Sequence, residues 1–183
     1  MNKKIIIIGG VAGGASCAAR LRRLDENAEI TMFERTGFIS YANCGLPYYI
    51  GDVITDQKSL TLQTPAGFGR RFRVNVCVNH EVTSIDPAGK SVHVRNLENG
   101  REWDEPYNIL VLSPGARPVI PEAVSSDLAN VFTLRTVEDT FHIKEFVQEH
   151  RPASAVICGG GFIGVELAEN LVNIGINVTI IEF

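Results

Sequence analysis

Cys44 is the residue whose type and surroundings most clearly invite a chemical role. It lies in FISYANCGLPYYIG, residues 38–51, where glycine and proline neighbours indicate a loop. No two of the four cysteines form a C-x-x-C pair, so the sequence predicts neither a metal site nor a thioredoxin-like dithiol. Cys17, Cys77 and Cys158 lie in helix-like or strand-like patterns, which favours small buried apolar residues. Cys44 is therefore the candidate redox nucleophile, with an inert loop cysteine as the alternative.

A second chemical signal is a glycine motif near the end of the chain. Gly159, Gly161 and Gly164 form G-x-G-x-x-G after the strand-like ASAVIC, and Glu182 ends the next strand-like run. Such glycines permit a tight turn, close approach of a pyrophosphate, and close packing of helix on strand. A carboxylate at the strand end can accept hydrogen bonds from a ribose diol. The motif predicts dinucleotide binding, and a glycine-rich turn of another α/β fold is the alternative.

The same pattern occurs in variant form at the start of the chain. Gly9 and Gly14 take the first and third places of the motif, Val11 stands in the second, and Glu34 ends the strand-like ITMFE. Taken alone, this unit is a weaker dinucleotide signal than the second because of Val11. Two such units in one chain suggest two different dinucleotides, with hydride transfer between them as the chemical purpose.

The elements that must position these residues are two strand–turn–helix–strand units. KKIIIIGG and AEITMFER flank the first helix, and the second unit runs through ASAVICGGGFIGVELAENLVNIGINVTIIEF. Between them the sequence predicts a short helix at TPAGFGRRF, strands at RVNVCV, EVTSIDP, KSVHVRN and YNILVLS, and an amphipathic helix from Thr136. We therefore predict an α/β fold of the Rossmann type, with a parallel sheet and a smaller antiparallel insert, followed by the first βαβ of a second Rossmann-like domain. The predicted domains are residues 1–150 and 151–183.

Composition and charge argue against a nucleic-acid-binding, membrane-spanning or secreted protein. The chain has 183 residues and a net charge of −4, and it contains no long basic block that would favour nucleic acid. Its first apolar run, IIIIGGVAGGA, is too short and too glycine-rich to span a bilayer, and no signal-peptide cleavage pattern follows. We predict a cytoplasmic protein with neither nucleic-acid nor membrane partners.

The sequence resembles the pyridine nucleotide-disulfide oxidoreductases, and within them the single-cysteine branch that contains the coenzyme A disulfide reductases. The resemblance covers essentially the whole chain. It rests on GGVAGGASCAARLRRL, FISYANCGLPYYIG, QTPAGFGRRF, NHEV, YNILVLSPGARP, LRTVEDT and GGGFIGVELAENL. In this family the first unit binds FAD and the second binds NADH or NADPH, and Val11 is usual in the flavin turn.

The resemblance implies a role for each matching position. Glu34 and the first turn would hold the FAD adenosine half, Val82 would contact the adenine through its backbone, and Phe162 would cover the nicotinamide face of the flavin. The implied FAD residues are Gly9, Gly10, Val11, Ala12, Gly13, Gly14, Glu34, Arg35, Val82, Ser113, Pro114 and Gly115. The implied NAD(P)H residues are Gly159, Gly161, Phe162, Ile163, Gly164, Glu166 and Glu182; Glu182 favours NADH because a carboxylate repels a 2'-phosphate.

For Cys44 the resemblance implies single-cysteine chemistry, because the second thiol of most relatives is replaced within Gly-Leu-Pro-Tyr-Tyr, residues 45–49. The thiol would alternate between thiolate and either a mixed disulfide with coenzyme A or a sulfenic acid. The implied substrate-binding residues are Ser16, Arg20, Arg23, Ser40, Asn43 and Arg71. From the residues alone, the arginines are better explained as a solvated helix face, and Asn43 fits a turn residue nearly as well as a substrate contact.

The resemblance further implies an N-terminal part of a longer homodimeric flavoenzyme, which by itself we expect to be inactive. Three activities are compatible with it: reduction of coenzyme A disulfide, reduction of coenzyme A persulfide or polysulfide, and NADH oxidation with oxygen or peroxide. A non-catalytic dinucleotide-binding redox sensor is an alternative of another class.

Overall fold

The computed structural model describes residues 3–121, 124 and 128–182. In chain order its elements are β1 (Lys4–Ile8), α1 (Ala12–Leu24), β2 (Glu29–Phe33), a 3-10 turn (Asn43–Gly45), α2 (Leu46–Ile50), α3 (Gln57–Leu60), α4 (Pro65–Phe72), β3 (Asn75–Cys77), β4 (His80–Asp86), β5 (Ser91–Asn96), β6 (Glu102–Pro106), β7 (Ile109–Leu112), α5 (Val137–His150), β8 (Ser154–Cys158), α6 (Phe162–Asn173) and β9 (Asn177–Ile181). They divide into two compact units, Met1–Tyr41 with Thr61–Gly115, and Ala42–Leu60 with Ala116–Phe183. The predicted boundary between residues 150 and 151 remains a prediction.

A four-stranded parallel sheet organises the first unit, in the order β3-β2-β1-β7. Strand β1 is central, with β2 on one side and β7 on the other. The connection through α1 thus leads from β1 to β2 on one side of the sheet, whereas β7 pairs with the other side of β1. In open parallel sheets such a reversal opens a crevice at the carboxyl ends of the strands, where ligands bind.

The isoleucine run of β1 is explained by burial on both faces of this sheet. Ile5 and Ile7 pack with Ala18 of α1 and Phe68 of α4 in one apolar cluster. Ile6 points the opposite way, into a second apolar cluster with β2 and β5. Successive side chains of a strand alternate between faces, so a strand covered on both sides must be apolar throughout.

The second cluster belongs to the interface with a three-stranded antiparallel sheet, in the order β4-β5-β6. Val92 and Val94 of β5 are fully buried there, and Phe33 of β2 makes an edge contact with Trp103 of β6. The register shifts between Val82 and Ser84, which marks a bulge in β4. The predicted combination of a parallel sheet with a smaller antiparallel insert is confirmed.

The second unit contains the βαβ of β8, α6 and β9, whose two strands pair in parallel. Helix α5 precedes it and begins with a capping box, in which Thr136 accepts a hydrogen bond from the Asp139 N–H. Ile50 of α2, Ile143 of α5 and Leu171 of α6 form the apolar cluster of this unit. The segment that carries Cys44 therefore packs on α5 and α6.

One burial prediction was wrong and two were met only in part. Cys158 is exposed, because among the described residues β8 pairs with β9 alone and one face of this pair is open. Cys17 and Cys77 are half-buried rather than buried. Burial, reinforced by the negative charge of Glu105, raises the pKa of the Cys77 thiol. Within the described part of the chain, no helix is both long enough and apolar enough to cross a membrane.

Candidate functional site

The first glycine turn lies at the carboxyl end of β1 and leads into α1. Gly9 has a φ of +95°, a conformation that residues with a side chain rarely adopt. A Cβ on Gly14 would collide with the carbonyl oxygen of Gly9, so the third glycine lets α1 start directly against the strand. The turn therefore has the geometry that its spacing predicted.

The carboxylate of Glu34 is tied to this turn by hydrogen bonds. Its Oε2 accepts from the Gly10 N–H at 2.7 Å, and its Oε1 accepts from the backbone N–H and hydroxyl of Thr36, each at 2.9 Å. Glu34 is 8% exposed. A carboxylate can accept about four hydrogen bonds, so about one position is left for a ribose hydroxyl.

The N-termini of α1 and α6 differ from those of the other long helices. Helices α4 and α5 begin with the threonine caps Thr64 and Thr136, whose hydroxyls accept backbone hydrogen bonds. Helices α1 and α6 begin after Val11 and Gly161 without a side-chain cap. Their first backbone N–H groups are thus available to an anion, which the helix dipole also favours. Both turns fit the diphosphate of a dinucleotide.

The second glycine turn repeats the main features of the first. Gly159 has a φ of +110°, and a Cβ on Gly164 would collide with its carbonyl oxygen. The N–H of Gly160 donates to Oε2 of Glu182, as the N–H of Gly10 does to Glu34. A Cβ on Gly161 would meet no atom of the described residues within 4 Å, which leaves the middle position open for close approach of a ligand. Sequence reasoning did not single out Gly160, although its place between two motif glycines was a signal.

The other predicted flavin residues surround the first turn or lie on the antiparallel sheet. Ser113 follows β7, donates its N–H to Ile8, and has its side chain beside Gly13. Gly115 has a φ of +72°. Arg35 is exposed and pairs with Glu81 at 3.8 Å, and Val82 is half-buried on β4, at the edge of its sheet. Their roles toward FAD stay predictions.

The predicted nicotinamide-side residues lie on the first turns of α6. Phe162 is 91% exposed and Ile163 52% exposed, whereas Glu166 is half-buried. An exposed aromatic ring at a helix start is compatible with the predicted covering role.

Cys44 is exposed at the centre of the 3-10 turn Asn43–Gly45, directly before α2. Gly45 is buried, and a Cβ there would lie 3.1 Å from Leu60 and 3.2 Å from Ile54, so the turn is closely packed on one side. Nη1 of Arg135 donates to Oδ1 of Asn43 at 3.3 Å. Sequence reasoning missed Arg135; the capping box that follows it places the residue at a helix start but does not reveal a partner 92 positions away.

The predicted substrate residues separate into two groups. Ser16, Arg20 and Arg23 are all exposed and share one face of α1. No hydrogen bond or ion pair of these three side chains occurs within the described residues. Ser40 and Arg71 belong to the same unit as α1, whereas Asn43 belongs to the second unit. Ser40 has a φ of +46° and donates its N–H to Gly10 at 3.0 Å, and the exposed Arg71 lies over the ring of Phe72.

Proteins of known function are similar in sequence to this chain. The chain is 40% identical over 180 residues to coenzyme A disulfide reductase of Staphylococcus haemolyticus, an alignment that covers 98% of this chain and 40% of that protein. The chain thus spans about two fifths of the length of the curated relatives it matches.

Solved structures show the same similarity. The reduced CoADR-RHD of Bacillus anthracis superposes with a TM-score of 0.95 at 47% identity, covering 100% of this chain and 33% of that one. A NAD-dependent persulfide reductase from A. fulgidus gives a TM-score of 0.90 at 35% identity over 97% of this chain and 33% of that one. The water-forming NADH oxidase of Lactobacillus brevis gives 0.89 at 28% identity over 99% and 40%.

The sequence profile of the family described as pyridine nucleotide-disulphide oxidoreductase matches residues 3–183. That match includes both glycine turns, both carboxylates and Cys44. The resemblance inferred from the motifs is therefore confirmed: the chain belongs to the pyridine nucleotide-disulphide oxidoreductase family.

Proposed function

We propose that the protein carrying this chain is a homodimeric FAD-dependent NAD(P)H:disulfide oxidoreductase that reduces coenzyme A disulfide, or a coenzyme A persulfide, through Cys44. The observation that carries the proposal is an exposed cysteine, without a second cysteine in its turn, in a chain with two dinucleotide turns. The similarity to coenzyme A disulfide reductase over nearly the whole chain supports the choice of substrate.

In the proposed enzyme each of the two dinucleotides binds at its own glycine turn. The first turn would hold the FAD diphosphate at the start of α1 and its ribose at Glu34. The second would hold the nicotinamide dinucleotide at the start of α6, with Glu182 on its ribose. Bound FAD supplies the ability to accept a hydride and to release two electrons to a sulfur.

Cys44 acts as the nucleophile in the proposed reaction. Its thiolate attacks one sulfur of coenzyme A disulfide, the S–S bond breaks, and one coenzyme A thiolate leaves and takes up a proton. Cys44 is then joined to the second coenzyme A in a mixed disulfide. Two electrons that originate in NAD(P)H break this bond, which restores the Cys44 thiolate and releases the second coenzyme A as a thiol after protonation. The sum is one NAD(P)H and one proton consumed for two thiols formed.

The exposed arginines of α1 suit the anionic part of such a substrate. Coenzyme A carries a 3'-phosphate and a diphosphate, and phosphates are bound best by charge-assisted hydrogen bonds from arginine. Arg20 and Arg23 lie on the exposed face of α1 with Ser16, and no acidic partner occupies them among the described residues. An enzyme that reduces oxygen or peroxide would not need this exposed face of α1, because neither substrate carries a phosphate.

NADH oxidation with oxygen or peroxide is the second candidate, supported by the similarity to the Lactobacillus brevis oxidase. In that reaction the Cys44 thiolate would attack a peroxide oxygen, the O–O bond would break, and the hydroxide that leaves would take up a proton to become water, so that Cys44 becomes a sulfenic acid. Two electrons from NADH and one proton would then restore the thiolate and release a second water. The lower identity of that structure favours the coenzyme A substrate, and so do Arg20 and Arg23, which have no acidic partner among the described residues.

The test is NADH consumption by the flavin-loaded protein with coenzyme A disulfide, coenzyme A persulfide or hydrogen peroxide as the acceptor. We expect turnover with a coenzyme A acceptor, its loss in Cys44→Ser, and a raised KM in Arg20→Met. Turnover with peroxide alone would transfer the assignment to the second candidate. Turnover that persists in Cys44→Ser would exclude the role of the thiol.

A further inference from the structure

Lys144 is a nearly buried lysine whose polar contacts, among the described residues, are made with the segment that follows Cys44. Its side chain is 12% exposed, although lysine is almost never buried without a partner. Nζ donates to the carbonyl oxygen of Tyr49 at 2.6 Å and pairs with Oδ1 of Asp52 at 2.8 Å. It also lies 3.9 Å from the centroid of the Tyr49 ring. The ammonium group is thus held by a carbonyl, a carboxylate and an aromatic face.

These contacts place a positive charge at the C-terminal end of α2. The carbonyls of the last turn of a helix lack partners within the helix and carry its negative partial charge, so a cation there is stabilising. The chain turns back immediately, with Asp52 at a φ of +60°. Gly51 packs so closely against Asn170 of α6 that a Cβ would come within 2.6 Å of it. The end of α2 is therefore fixed from both α5 and α6.

Helix α2 has five residues and cannot hold its own orientation. One residue, Gly45, separates it from Cys44, and the Gly45 N–H donates to Ala42 at 2.9 Å. At a rise of about 1.5 Å per residue, the Lys144 contact at Tyr49 is only roughly 8 Å along the helix from Cys44. A shift at the end of α2 must therefore move the backbone of the cysteine turn.

We propose that Lys144 is a positioning residue for Cys44: its ammonium group clamps the C-terminal end of α2 onto α5 and so sets the orientation and reactivity of the exposed thiol. The relevance of that reactivity to catalysis rests on the proposed function. The sequence did not reveal the role, because Lys144 falls in the polar pattern of TFHIKEFVQEH and its partners lie more than 90 positions earlier.

The test compares Lys144→Met with Lys144→Arg. Methionine keeps a similar stem without the charge, whereas arginine keeps a charge and donors for the carbonyl and the carboxylate. The readout is the rate at which iodoacetamide alkylates Cys44 at neutral pH, followed by mass spectrometry of the Cys44 peptide. Lys58→Met in α3 is the matched control, since Lys58 is exposed in the same unit.

We expect Lys144→Met to alter the alkylation rate about fivefold, corresponding to a helix-terminus charge interaction of about 1 kcal/mol. Lys144→Arg should bring the rate back toward that of the unmodified chain, and Lys58→Met should leave it unchanged. If Lys144→Met does not fold, Asp52→Asn takes its place, since the exposed Asp52 can be changed without opening the core. An unchanged Cys44 rate in the folded variant would overturn the proposal, even if its melting temperature falls.

This readout separates the two proposals. Alkylation measures the thiol and requires neither coenzyme A nor NADH, so a protein that failed to reduce coenzyme A disulfide could still show the effect of Lys144. Conversely, coenzyme A turnover with an unchanged alkylation rate in Lys144→Met would leave the proposed function intact and remove the positioning role.

Discussion

At the scale of single residues, the two glycine turns show which motif position serves the fold and which serves a ligand. The third glycine of each turn has no room for a side chain, because a Cβ on Gly14 or Gly164 would overlap the carbonyl of the first glycine. The second position has room for a side chain. A Cβ on Gly161 would meet no atom of the described residues within 4 Å, and Val11 occupies the equivalent position of the first turn. Val11 therefore weakens the motif as a pattern without disturbing the turn.

The contrast predicts opposite effects for two alanine substitutions in the second turn. Gly164→Ala should lower the free energy of unfolding by about 1–3 kcal/mol, the usual effect of overpacking. Gly161→Ala should leave it nearly unchanged while weakening NADH binding, since the new methyl group points to where a diphosphate would approach. Chemical denaturation and titration with NADH measure the two effects. Equal stability of the two variants would contradict this account of the turn.

The residues that the sequence could predict differ from those that it could not in how far away their partners lie along the chain. The glycines, Glu34 and Glu182 were identified because the dinucleotide turn imposes fixed local spacing. Arg135 and Lys144 were missed because each acts on a segment more than 90 positions away, and a polar residue on a helix carries no mark of a distant partner. The exposure of Cys158 was missed because burial of a strand depends on its neighbours in the sheet.

At the scale of elements, Arg22 joins the ends of two helices of the first unit. Its guanidinium donates to the carbonyls of Phe72 and Arg73 at the end of α4, at 2.9 and 2.7 Å. It also donates to Asp25 and Glu26 after α1, at 3.1 and 2.8 Å. Four carbonyls without a helical partner are thus satisfied by one side chain, and the planar group of arginine is suited to this.

Arg22→Met should therefore lower the free energy of unfolding by about 2 kcal/mol, because charge-assisted hydrogen bonds are lost and helix-end carbonyls are left to water. Arg23→Met is the matched control, one position away on the exposed face of α1. Its stability should stay within about 0.5 kcal/mol of the unmodified chain, as for most surface changes. A similar decrease in the free energy of unfolding in the two variants would show that Arg22 does not stabilise the ends of α1 and α4.

The antiparallel sheet contains a charged cluster that gives stability a pH dependence. His93 lies between Asp104 at 2.7 Å and Glu102 at 3.3 Å, and Arg95 binds Glu102 at 2.5 Å. The hydrogen bond that His93 donates to Asp104, and then the one that it donates to Glu102, raises the pKa of His93 above its ordinary 6.5. The hydrogen bond from Arg95, followed by that from His93, lowers the pKa of Glu102.

A raised pKa in the folded state means that the contribution of His93 is complete below its ordinary pKa and is lost as the pH rises through the folded value. The melting temperature should therefore fall slightly through this group as the pH rises above the ordinary pKa of histidine, and His93→Gln should remove that part of the change. His142→Gln on α5 is the control, since His142 is exposed and not part of the cluster. A pH dependence that is the same in His93→Gln and in His142→Gln would refute the role of the cluster.

At the scale of the whole molecule, the α/β class and the two βαβ units were predictable because both repeat a strong local pattern. Which segments share a compact unit depends on packing that local sequence patterns do not encode. Residues 42–60 form a compact unit with Ala116–Phe183, although the first unit continues on either side of them. The reason is packing between distant parts of the chain: Ile50 joins the apolar cluster of α5 and α6. The thiol segment and the second dinucleotide turn therefore belong to one unit.

The proposed function requires that Cys44 exchanges a disulfide bond with coenzyme A. The most direct measurement is the mass of the Cys44 peptide from protein purified without reductant, before and after treatment with dithiothreitol. We expect a mass increase equal to one coenzyme A less two hydrogens, which dithiothreitol removes and which is not found on the peptides of Cys17, Cys77 and Cys158. A Cys44 peptide that carries one added oxygen, or no coenzyme A at all, would contradict the claim and favour the oxygen- or peroxide-reducing reaction.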